Sequence, residues 1–359
     1  MASCRGFRAA VIAALLLTPG ALAQPLPDAA NSGYLAIYHI DIGQGDATLI
    51  IGPTGKTLLA DSGNRGKGAA NVAPVLRALG LDTLDYMVAS HYDADHIGGF
   101  DEVYAVLRDI PLHILDRGDV GPKAPPDTDQ YREYADPLAA GRAPALLGNT
   151  AIDLGPGVSV LIVTANGCVL NRRLKPEEKG LDENATSVAM VINYGDFDYF
   201  VGGDLTGGGL SGSKRTQDLE SLAAGEVGDV DVLRLNHHGS QTSNNQTFLT
   251  ALDPEAVVIS AGTGGSNKSA YHHPRREVLD RLHALHRTQG LRRIYMTTRG
   301  ETEGGLSEED LALMRIANGH VVLFASATSY TINGEVFPTD GRKSRAAATP
   351  PATQQECTP

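Results

Sequence analysis

The sequence lacks three features that would each indicate a particular class of protein. After the N-terminal segment there is no run of the roughly 18 to 20 apolar residues that a membrane-spanning helix needs, and there is no internal repeat of fixed period. Basic residues are outnumbered, with 30 lysines and arginines against 42 aspartates and glutamates and a formal net charge of −12. This charge opposes tight, nonspecific binding to nucleic acid, which depends mainly on phosphate neutralisation, although it leaves room for a local basic strip. We expect a globular protein of one large or two small domains.

The first 23 residues have the composition of a secretory signal peptide. Arg5 and Arg8 precede an apolar run, and the small residues Ala21 and Ala23 occupy the positions that a signal peptidase recognises. We therefore predict a signal peptide over residues 1–23, a short leader over residues 24–33, and a secreted or periplasmic protein without a membrane span.

Cysteine is also scarce, with three residues in the chain. Cys4 lies in the predicted signal peptide, which leaves Cys168 and Cys357 in a compartment where disulfides persist. The sequence gives no distance between these two residues and leaves open whether they pair.

Strand-like apolar segments alternate with segments of helical spacing, which indicates a layered α/β architecture. A second sheet is expected to begin near residue 158. Residues 119–150, rich in Pro, Ala, Asp and Gly, are predicted to be an inserted surface loop with one helical turn, either a lid or a decoration. The domain is expected to close with a hairpin around Asn333 and Gly334.

These boundaries define one domain over residues 34–336. The composition then changes to Ala, Pro, Thr, Gln and basic residues. We predict a disordered tail over residues 337–359.

Two histidines and two aspartates crowd into the stretch ASHYDADHIGG, at His91, Asp93, Asp95 and His96. An apolar strand is predicted before this stretch and an amphipathic helix after it, so one strand-to-helix turn would aim all four side chains at a common point. Four imidazole and carboxylate groups that converge in this way indicate a metal site.

Further ligands are expected from other strand ends, because divalent cations take about four to six ligands. Asp204 ends the apolar run YFVGGD, and His237 and His238 end VLRLNHHGS. Taken alone, the first would be an ordinary turn aspartate and the other two would be surface histidines. Together with the HxDxDH stretch, they are better interpreted as metal ligands.

These motifs, in their order along residues 34–296, resemble those of the metallo-β-lactamase superfamily and, within it, the hydrolase domain of the ComEC competence proteins. The matching segments are HIDIGQGDATLI, LLADSG, SHYDADHIGG, ENATSVAM, GGDL, NHHGSQTS and YHHPRREVL. The resemblance implies an αββα sandwich, two mixed sheets flanked by helices, with metals at one edge between the sheets, and a hydrolase. The membrane channel that accompanies this domain in ComEC proteins has no counterpart in the sequence, which puts direct DNA uptake in doubt.

The resemblance also implies two metal sites that share a bridging Asp204. The first site has His91 and Asp93, where Asp93 replaces the histidine of the usual HxHxDH motif, as it does in ComEC-type domains. The superfamily's third histidine for this site has no counterpart, and Asn184 stands in that region. The second site has Asp95, His96 and one of two adjacent histidines, and we favour His237 over His238 because it lies nearer the strand end.

Other residues are assigned supporting roles by the same resemblance. His273, in YHHPRR, is expected to act catalytically, as a phosphate contact or as a proton donor to the leaving oxygen, although it could also be an ordinary histidine at a helix start; Asp95 is the other catalytic candidate. Asp46 and Asp61 are expected to orient the ligands. Ser240 and Asn184 are candidate substrate-binding residues. Arg275 and Arg276 open a helix and would either meet a substrate phosphate or be solvated.

The expected cofactors are two divalent metal ions, Zn²⁺ or Mn²⁺, because a carboxylate in place of an imidazole favours oxygen-preferring ions. Two cations and a bridging hydroxide would form the general apparatus of two-metal hydrolysis. We expect an exported phosphodiesterase or nuclease that acts on a phosphodiester, with DNA among the candidate partners. The alternatives are a hydrolase of carbon esters, lactones or β-lactams, and a non-catalytic binding module stabilised by metal. The substrate and the oligomeric state stay open.

Overall fold

The computed structural model describes residues 33–111, 113–119, 123–149, 152–172, 181–211, 215–266, 269–342 and 344. The predicted signal peptide, nearly all of the leader and most of the predicted tail lie outside the described residues. Within these ranges no helix reaches the length and apolarity that crossing a bilayer requires.

Twenty strands are present in the described part of the chain. In chain order they are β1 (Leu35–His39), β2 (Thr48–Ile51), β3 (Thr57–Ala60), β4 (Tyr86–Val88), β5 (His113–Asp116), β6 (Arg142–Pro144), β7 (Gly148–Asn149), β8 (Val158–Ala165), β9 (Cys168–Val169), β10 (Ala189–Tyr194), β11 (Phe197–Val201), β12 (Val232–Arg234), β13 (Ala256–Ile259), β14 (Gly265–Ser266), β15 (Ser269–Ala270), β16 (Arg293–Met296), β17 (Met314–Ile316), β18 (Val321–Ala325), β19 (Ser329–Ile332) and β20 (Glu335–Pro338).

Within the described ranges, eight α-helices accompany these strands. They are α1 (Ala73–Ala78), α2 (Ala94–Ile97), α3 (Phe100–Tyr104), α4 (Asp129–Ala135), α5 (Glu220–Val227), α6 (Gln246–Leu252), α7 (Arg276–Thr288) and α8 (Glu308–Leu313). A π-helical turn over Gly68–Val72 precedes α1, and short 3₁₀ turns cover Asn184–Thr186 and Asn236–Gly239.

Two large mixed sheets form the centre of the molecule. The first sheet has the order β20-β19-β18-β1-β2-β3-β4-β5-β6, and the second has the order β17-β16-β13-β12-β11-β10-β8-β7. Strands β3 to β6 are parallel in the first sheet, and β11, β12, β13, β16 and β17 are parallel in the second. The carboxyl ends of parallel strands meet at one edge of a sheet, which is where α/β proteins usually place their ligands.

The alternation of side chains along the first sheet explains the layering. Leu35 and Ile37 of β1 face a core shared with the second sheet, whereas Ala36 and Tyr38 face a second core shared with α1, α3 and α4. On the far side, the helices α5, α6 and α7 contribute to the core of the second sheet. This is the αββα sandwich expected from the sequence motifs.

The insertion is more than a surface loop. Its helical turn is present as α4, but Tyr134 of that helix is buried in the core, and residues 142–144 form β6, which pairs in parallel with β5. The Ala- and Pro-rich composition is that of a loop, and only three residues of this strand pair with β5, so no strand pattern is apparent in the sequence.

The end of the domain also differs from the expectation. The hairpin around Asn333 and Gly334 is present, but β20 runs through the boundary that we placed after residue 336. Phe337 is buried against Tyr330, and Ser344 is buried against Asn193. The predicted boundary therefore falls within a strand, and most of the predicted tail lies outside the described residues.

Cys168, in β9, is disulfide-bonded. Cys357, the partner considered in the sequence, lies outside the described residues.

Candidate metal centre

The candidate ligands lie just beyond the carboxyl ends of neighbouring parallel strands. In the first sheet, His91 follows β4, and Asp61, which is expected to orient a ligand, directly follows β3. In the second sheet, Asp204 follows β11, and the adjacent histidines His237 and His238 follow β12. The two sheets therefore contribute ligands to one edge of the sandwich from opposite sides.

A glycine allows these two sides to approach. Gly203, just before Asp204, has a left-handed φ of 54°, and a Cβ atom there would lie 2.5 Å from the Cβ of Ser90. Because glycine has no side chain, the loop after β11 is able to pack directly on the loop after β4. This close packing brings Asp204 next to the histidines of the first sheet.

The two oxygens of Asp204 face two different groups of residues. Its Oδ1 lies 3.3 Å from Nε2 of His96 and 3.6 Å from Nε2 of His238. Its Oδ2 lies 4.0 Å from Nε2 of His91 and 3.5 Å from Nε2 of His237. A carboxylate placed in this way is able to bridge two cations.

The remaining two aspartates divide between the same groups. Asp93 Oδ2 is 3.6 Å from His91 Nε2, on the Oδ2 side of Asp204. Asp95 Oδ2 is 3.4 Å from His238 Nε2, on the Oδ1 side. The seven ligand candidates from the sequence are thus brought together.

The two adjacent histidines are distributed differently from the sequence-based preference. His238, not His237, lies with Asp95, and its Nδ1 is bound to the carbonyl of Ser260 at 2.8 Å, which directs Nε2 toward the cluster. The preference for His237 rested on its nearness to the end of β12, which is Arg234. Beyond it, both histidines have left-handed backbone angles, with φ of 49° and 53°, so their side chains diverge to the two oxygens of Asp204.

The buried atoms of this cluster indicate that it is built to hold cations. The Nε2 atoms of His91, His96 and His238 and the Oδ1 atom of Asp204 are buried and have no hydrogen-bond partner among the described residues. Buried polar atoms are rarely left unpaired, and imidazole nitrogens with carboxylate oxygens are the donors that Zn²⁺ and Mn²⁺ accept. Two overlapping groups, His91 with His96 and Asp204, and Asp95 with His96 and His238, have ligand atoms close enough to share an ion.

Polar partners behind the ligands fix their orientation. Asp61 accepts hydrogen bonds from the backbone N–H and the hydroxyl of Ser90, both at 2.8 Å, and lies 2.8 Å from Nδ1 of His96. The hydroxyl of Ser90 is also 3.0 Å from Nδ1 of His91. With their Nδ1 atoms held, both imidazoles present Nε2 to the cluster, an arrangement common around metal ligands.

A buried ion pair lies next to the loop that carries Asp204. Arg234 and Asp46 are fully buried and 2.5 Å apart, and Arg234 also donates to the carbonyl of Gly203 at 2.6 Å. Burial raises the pKa of Asp46, while the charge of Arg234 opposes that rise. Sequence analysis missed Arg234, although an arginine within the apolar run VLRL was a signal that could have identified it.

The charges of the cluster shift its pKa values strongly. Burial alone would raise the pKa of Asp204, but His96, His237 and His238 hold it well below its usual range. Conversely, burial would lower the pKa of His96, but the carboxylates of Asp204 and Asp61 raise it well above the usual value. Opposite charges thus favour the charged forms of Asp204 and His96 against the effect of burial.

The other predicted site residues lie around this cluster. The Asn184 side chain is 3.4 Å from the His237 ring. The Ser240 hydroxyl bonds to Thr242, whose own hydroxyl is 2.9 Å from Nδ1 of His237, so Ser240 acts behind that histidine. The His273 ring lies 5.5 Å from the His237 ring, and burial, with the neighbouring imidazoles, lowers its pKa.

Glu220, at the start of α5, was not identified from the sequence. It is fully buried and accepts hydrogen bonds from the Asn236 side chain at 2.8 Å and from the backbone N–H groups of Asn244 and Asn245 at 2.6 and 2.8 Å. These residues lie on both sides of the two histidines, so one carboxylate fastens both ends of their loop. Glutamate is common in the first turn of a helix, so the sequence did not indicate that Glu220 makes these contacts.

The insertion is connected to the metal centre through Tyr92, which follows His91. Its hydroxyl bonds to Asp119 and to Arg142 of β6, at 3.1 and 2.9 Å, and its backbone N–H donates to Glu183 at 2.9 Å. The insertion therefore packs directly on the loop that carries four of the ligand candidates.

Comparisons with known proteins identify the family of this chain. The family model of the metallo-β-lactamase superfamily matches residues 40–263, which is more than half of the chain. Competence protein ComA of Neisseria gonorrhoeae is 28% identical over 81% of this chain and 35% of its own length. Recombination protein 2 of Haemophilus influenzae is 26% identical over 68% of this chain and 26% of its own length. The chain thus spans about a third or less of these curated relatives.

Among solved structures, a putative metal-dependent hydrolase from Parabacteroides distasonis matches with a TM-score of 0.42 at 12% identity, covering 74% of this chain and 94% of that chain. The family model, the sandwich of two sheets and the cluster of histidines and aspartates at its edge agree with one another. The chain belongs to the metallo-β-lactamase superfamily.

Proposed function

We propose that this protein is a phosphodiesterase or nuclease that depends on two divalent cations, with Asp204 as their shared ligand. The observation that carries this proposal is the position of that buried carboxylate, whose two oxygens each face a separate group of imidazole and carboxylate donors. A single cation would need only one such group.

The ligands divide into two sets that share Asp204. The first set is completed by His91, Asp93 and His237, and the second set by Asp95, His96 and His238. In the first set, His237 supplies the additional imidazole that the sequence motif lacked. The carboxylates in both sets make Mn²⁺ as suitable an occupant as Zn²⁺.

When bound, two divalent cations would lower the pKa of a water molecule and stabilise the charge that develops on a phosphoryl group. The chain's own residues supply position and proton transfer. Asp61 and Ser260 hold the imidazoles of His96 and His238 in the required orientation. His273, buried beside the two adjacent histidines, would contact a phosphate and, once that anion raises the lowered pKa of its ring, would give a proton to the leaving oxygen.

The names of two relatives support a phosphodiester substrate. One is a competence protein and the other a recombination protein, so both names refer to processes that involve DNA. We therefore place phosphodiesters ahead of carbon esters, lactones and β-lactams.

We further propose that the protein is exported. The disulfide bond of Cys168 supports this proposal, because disulfides persist mainly outside the reducing cytosol. The signal-peptide pattern at residues 1–23 gives independent support from the sequence.

A substrate panel tests the proposed activity. The protein is loaded with Mn²⁺ or Zn²⁺ and assayed on single-stranded DNA, a chromogenic phosphodiester, a lactone and a β-lactam, with the Asp204→Asn variant as the control for contaminating enzymes. Hydrolysis of a phosphodiester by the wild type alone is the expected result. Hydrolysis of only the lactone or the β-lactam would refute the proposed phosphodiesterase activity. Metal binding without hydrolysis of any of the four would instead support a binding module.

A further inference from the structure

Three aromatic rings form a stack that leads away from the candidate metal centre. The His238 ring, at the centre, is 6.0 Å from the His273 ring with an angle of 27° between the ring planes. The His273 ring is in turn 5.6 Å from the Tyr271 ring with an angle of 13°. The outermost ring of this stack is therefore a tyrosine that lies nearly parallel to His273.

Tyr271 is unusually exposed for an aromatic residue of this protein. Its exposed fraction is 40%, and no other phenylalanine or tyrosine among the described residues is as exposed. Its backbone N–H donates to the carbonyl of Gly264 at 2.9 Å, and the stack on His273 fixes one side of the ring. An exposed aromatic ring that is held in place gives a flat apolar surface on which another planar group can stack.

A positive charge lies close to the backbone of Tyr271. Arg275 donates from Nη1 to the carbonyl of Tyr271 at 3.3 Å and from Nη2 to the side chain of Gln241 at 3.4 Å. Its Nε has no hydrogen-bond partner, and no ion pair joins it to any carboxylate within the described ranges. In a chain with a net charge of −12, an arginine next to the metal centre without a neutralising carboxylate is suited to bind an anion.

We propose that Tyr271 and Arg275 form a nucleotide subsite beside the metal centre, in which Tyr271 stacks on a nucleobase and Arg275 contacts a phosphate of the same strand. This proposal rests on the proposed phosphodiesterase function and narrows its substrate to single-stranded nucleic acid or its fragments. In a duplex, the faces of the bases are covered by their neighbours, whereas an unpaired base can be placed on an aromatic side chain.

The alternative role for Tyr271 is structural, as support for the His273 ring. The two roles differ in their dependence on the base. Support for His273 would affect every ligand of the site to the same degree, but stacking would affect only ligands that carry a base.

The test measures binding with an oligonucleotide and its base-free equivalent. The metal-loaded protein is titrated into fluorescein-labelled hexathymidylate and into an abasic hexamer, both with phosphorothioate linkages to resist hydrolysis, and fluorescence anisotropy is followed. The variants are Tyr271→Ala, Tyr271→Phe and Arg275→Ala. The matched controls are Tyr194→Ala, at the end of β10 away from the metal centre, and Arg287→Ala, in the last turn of α7.

We expect Tyr271→Ala to weaken binding of hexathymidylate about tenfold, within the range for loss of one stacked base, and to leave binding of the abasic hexamer unchanged. Tyr271→Phe should bind as the wild type does, because the phenyl ring retains the stacking face. Arg275→Ala should weaken binding of both ligands to the same degree. It should also reduce the slope of the logarithm of the binding constant against the logarithm of the salt concentration by about one. The two control variants should bind as the wild type does.

Equal affinity of the wild-type protein for the two hexamers would overturn the proposal, as would equal losses in Tyr271→Ala for both. Failure of the proposed catalytic function gives a different result. In that case hexathymidylate would bind in a base-dependent manner, but the unmodified oligonucleotide would not be hydrolysed.

Discussion

Replacement of Arg234 by methionine tests whether the buried ion pair supports the metal centre. The side chain of Arg234 is fully buried, and its guanidinium pairs with Asp46 and donates to the carbonyl of Gly203. Methionine is shorter but similar in volume and carries no charge, so Asp46 would be left buried without its partner. Removal of one member of a buried pair costs about 3 to 5 kcal/mol. We expect Arg234→Met to lower the free energy of unfolding by about that amount.

The double variant distinguishes the effect of an unpaired charge from the effect of the changed side-chain shape. Asp46→Asn alone should also be destabilising, because it leaves a buried guanidinium without a counter-charge. In Arg234→Met/Asp46→Asn neither charge is left unpaired, so its loss should be smaller than the sum of the two single losses. Such non-additivity is expected for residues in direct contact.

Urea denaturation at a fixed free-metal concentration measures these differences. Arg132→Met is the matched control, because Arg132 is half-exposed and pairs only with surface aspartates. That variant should lose no more than about 1 kcal/mol. Additive losses in the double variant, or a loss in Arg234→Met as small as that in the control, would refute the reasoning.

Three further predictions follow from the site and its surroundings. Asp204→Asn should lower the metal content at both sites and Asp93→Asn mainly at one, as measured by elemental analysis; retention of two ions by Asp204→Asn would contradict the bridging role. His273→Ala should lower kcat about 10²-fold at unchanged metal content, with a smaller loss for a phenolate leaving group, and an unchanged kcat would leave this histidine without a catalytic part. Burial raises the pKa of Asp231 to about 7, so its stabilising contribution is full below its unfolded pKa of about 3.9 and is lost as the pH rises through 7. Asp231→Asn should therefore be more stable than the wild type by about 1 to 3 kcal/mol at pH 8 and not at pH 4, and the same difference at both pH values in urea denaturation would contradict this.

Features that depend on local sequence patterns were predictable. The first three strands follow from apolar segments between tight turns, and the HxDxDH stretch places four candidate ligands within six residues. The resemblance to a known family supplied the pairing of this stretch with Asp204 and with the two adjacent histidines. Composition and spacing alone could not have placed these distant segments at one edge.

Features that depend on backbone angles or distant contacts were not predictable in the same way. The positions of His237 and His238 depend on two successive left-handed residues, which strand alternation does not describe. The strand Arg142–Pro144 forms through three pairs with β5, and its composition is that of a loop. Neither feature follows from the local pattern of apolar and polar residues.

The origin of the ligands in both sheets has a consequence for the lifetime of the protein. A cation bound at this edge would act as a clamp between the two halves of the sandwich, because His91 and His96 come from one sheet and Asp204 and His238 from the other. Anything that binds only the native state stabilises it, by about 2.7 kcal/mol at a concentration one hundred times its dissociation constant. Resistance to unfolding and to proteolysis would then rise and fall with the free metal concentration of the compartment. In a metal-poor environment the protein would be removed faster, and its abundance would report on metal supply.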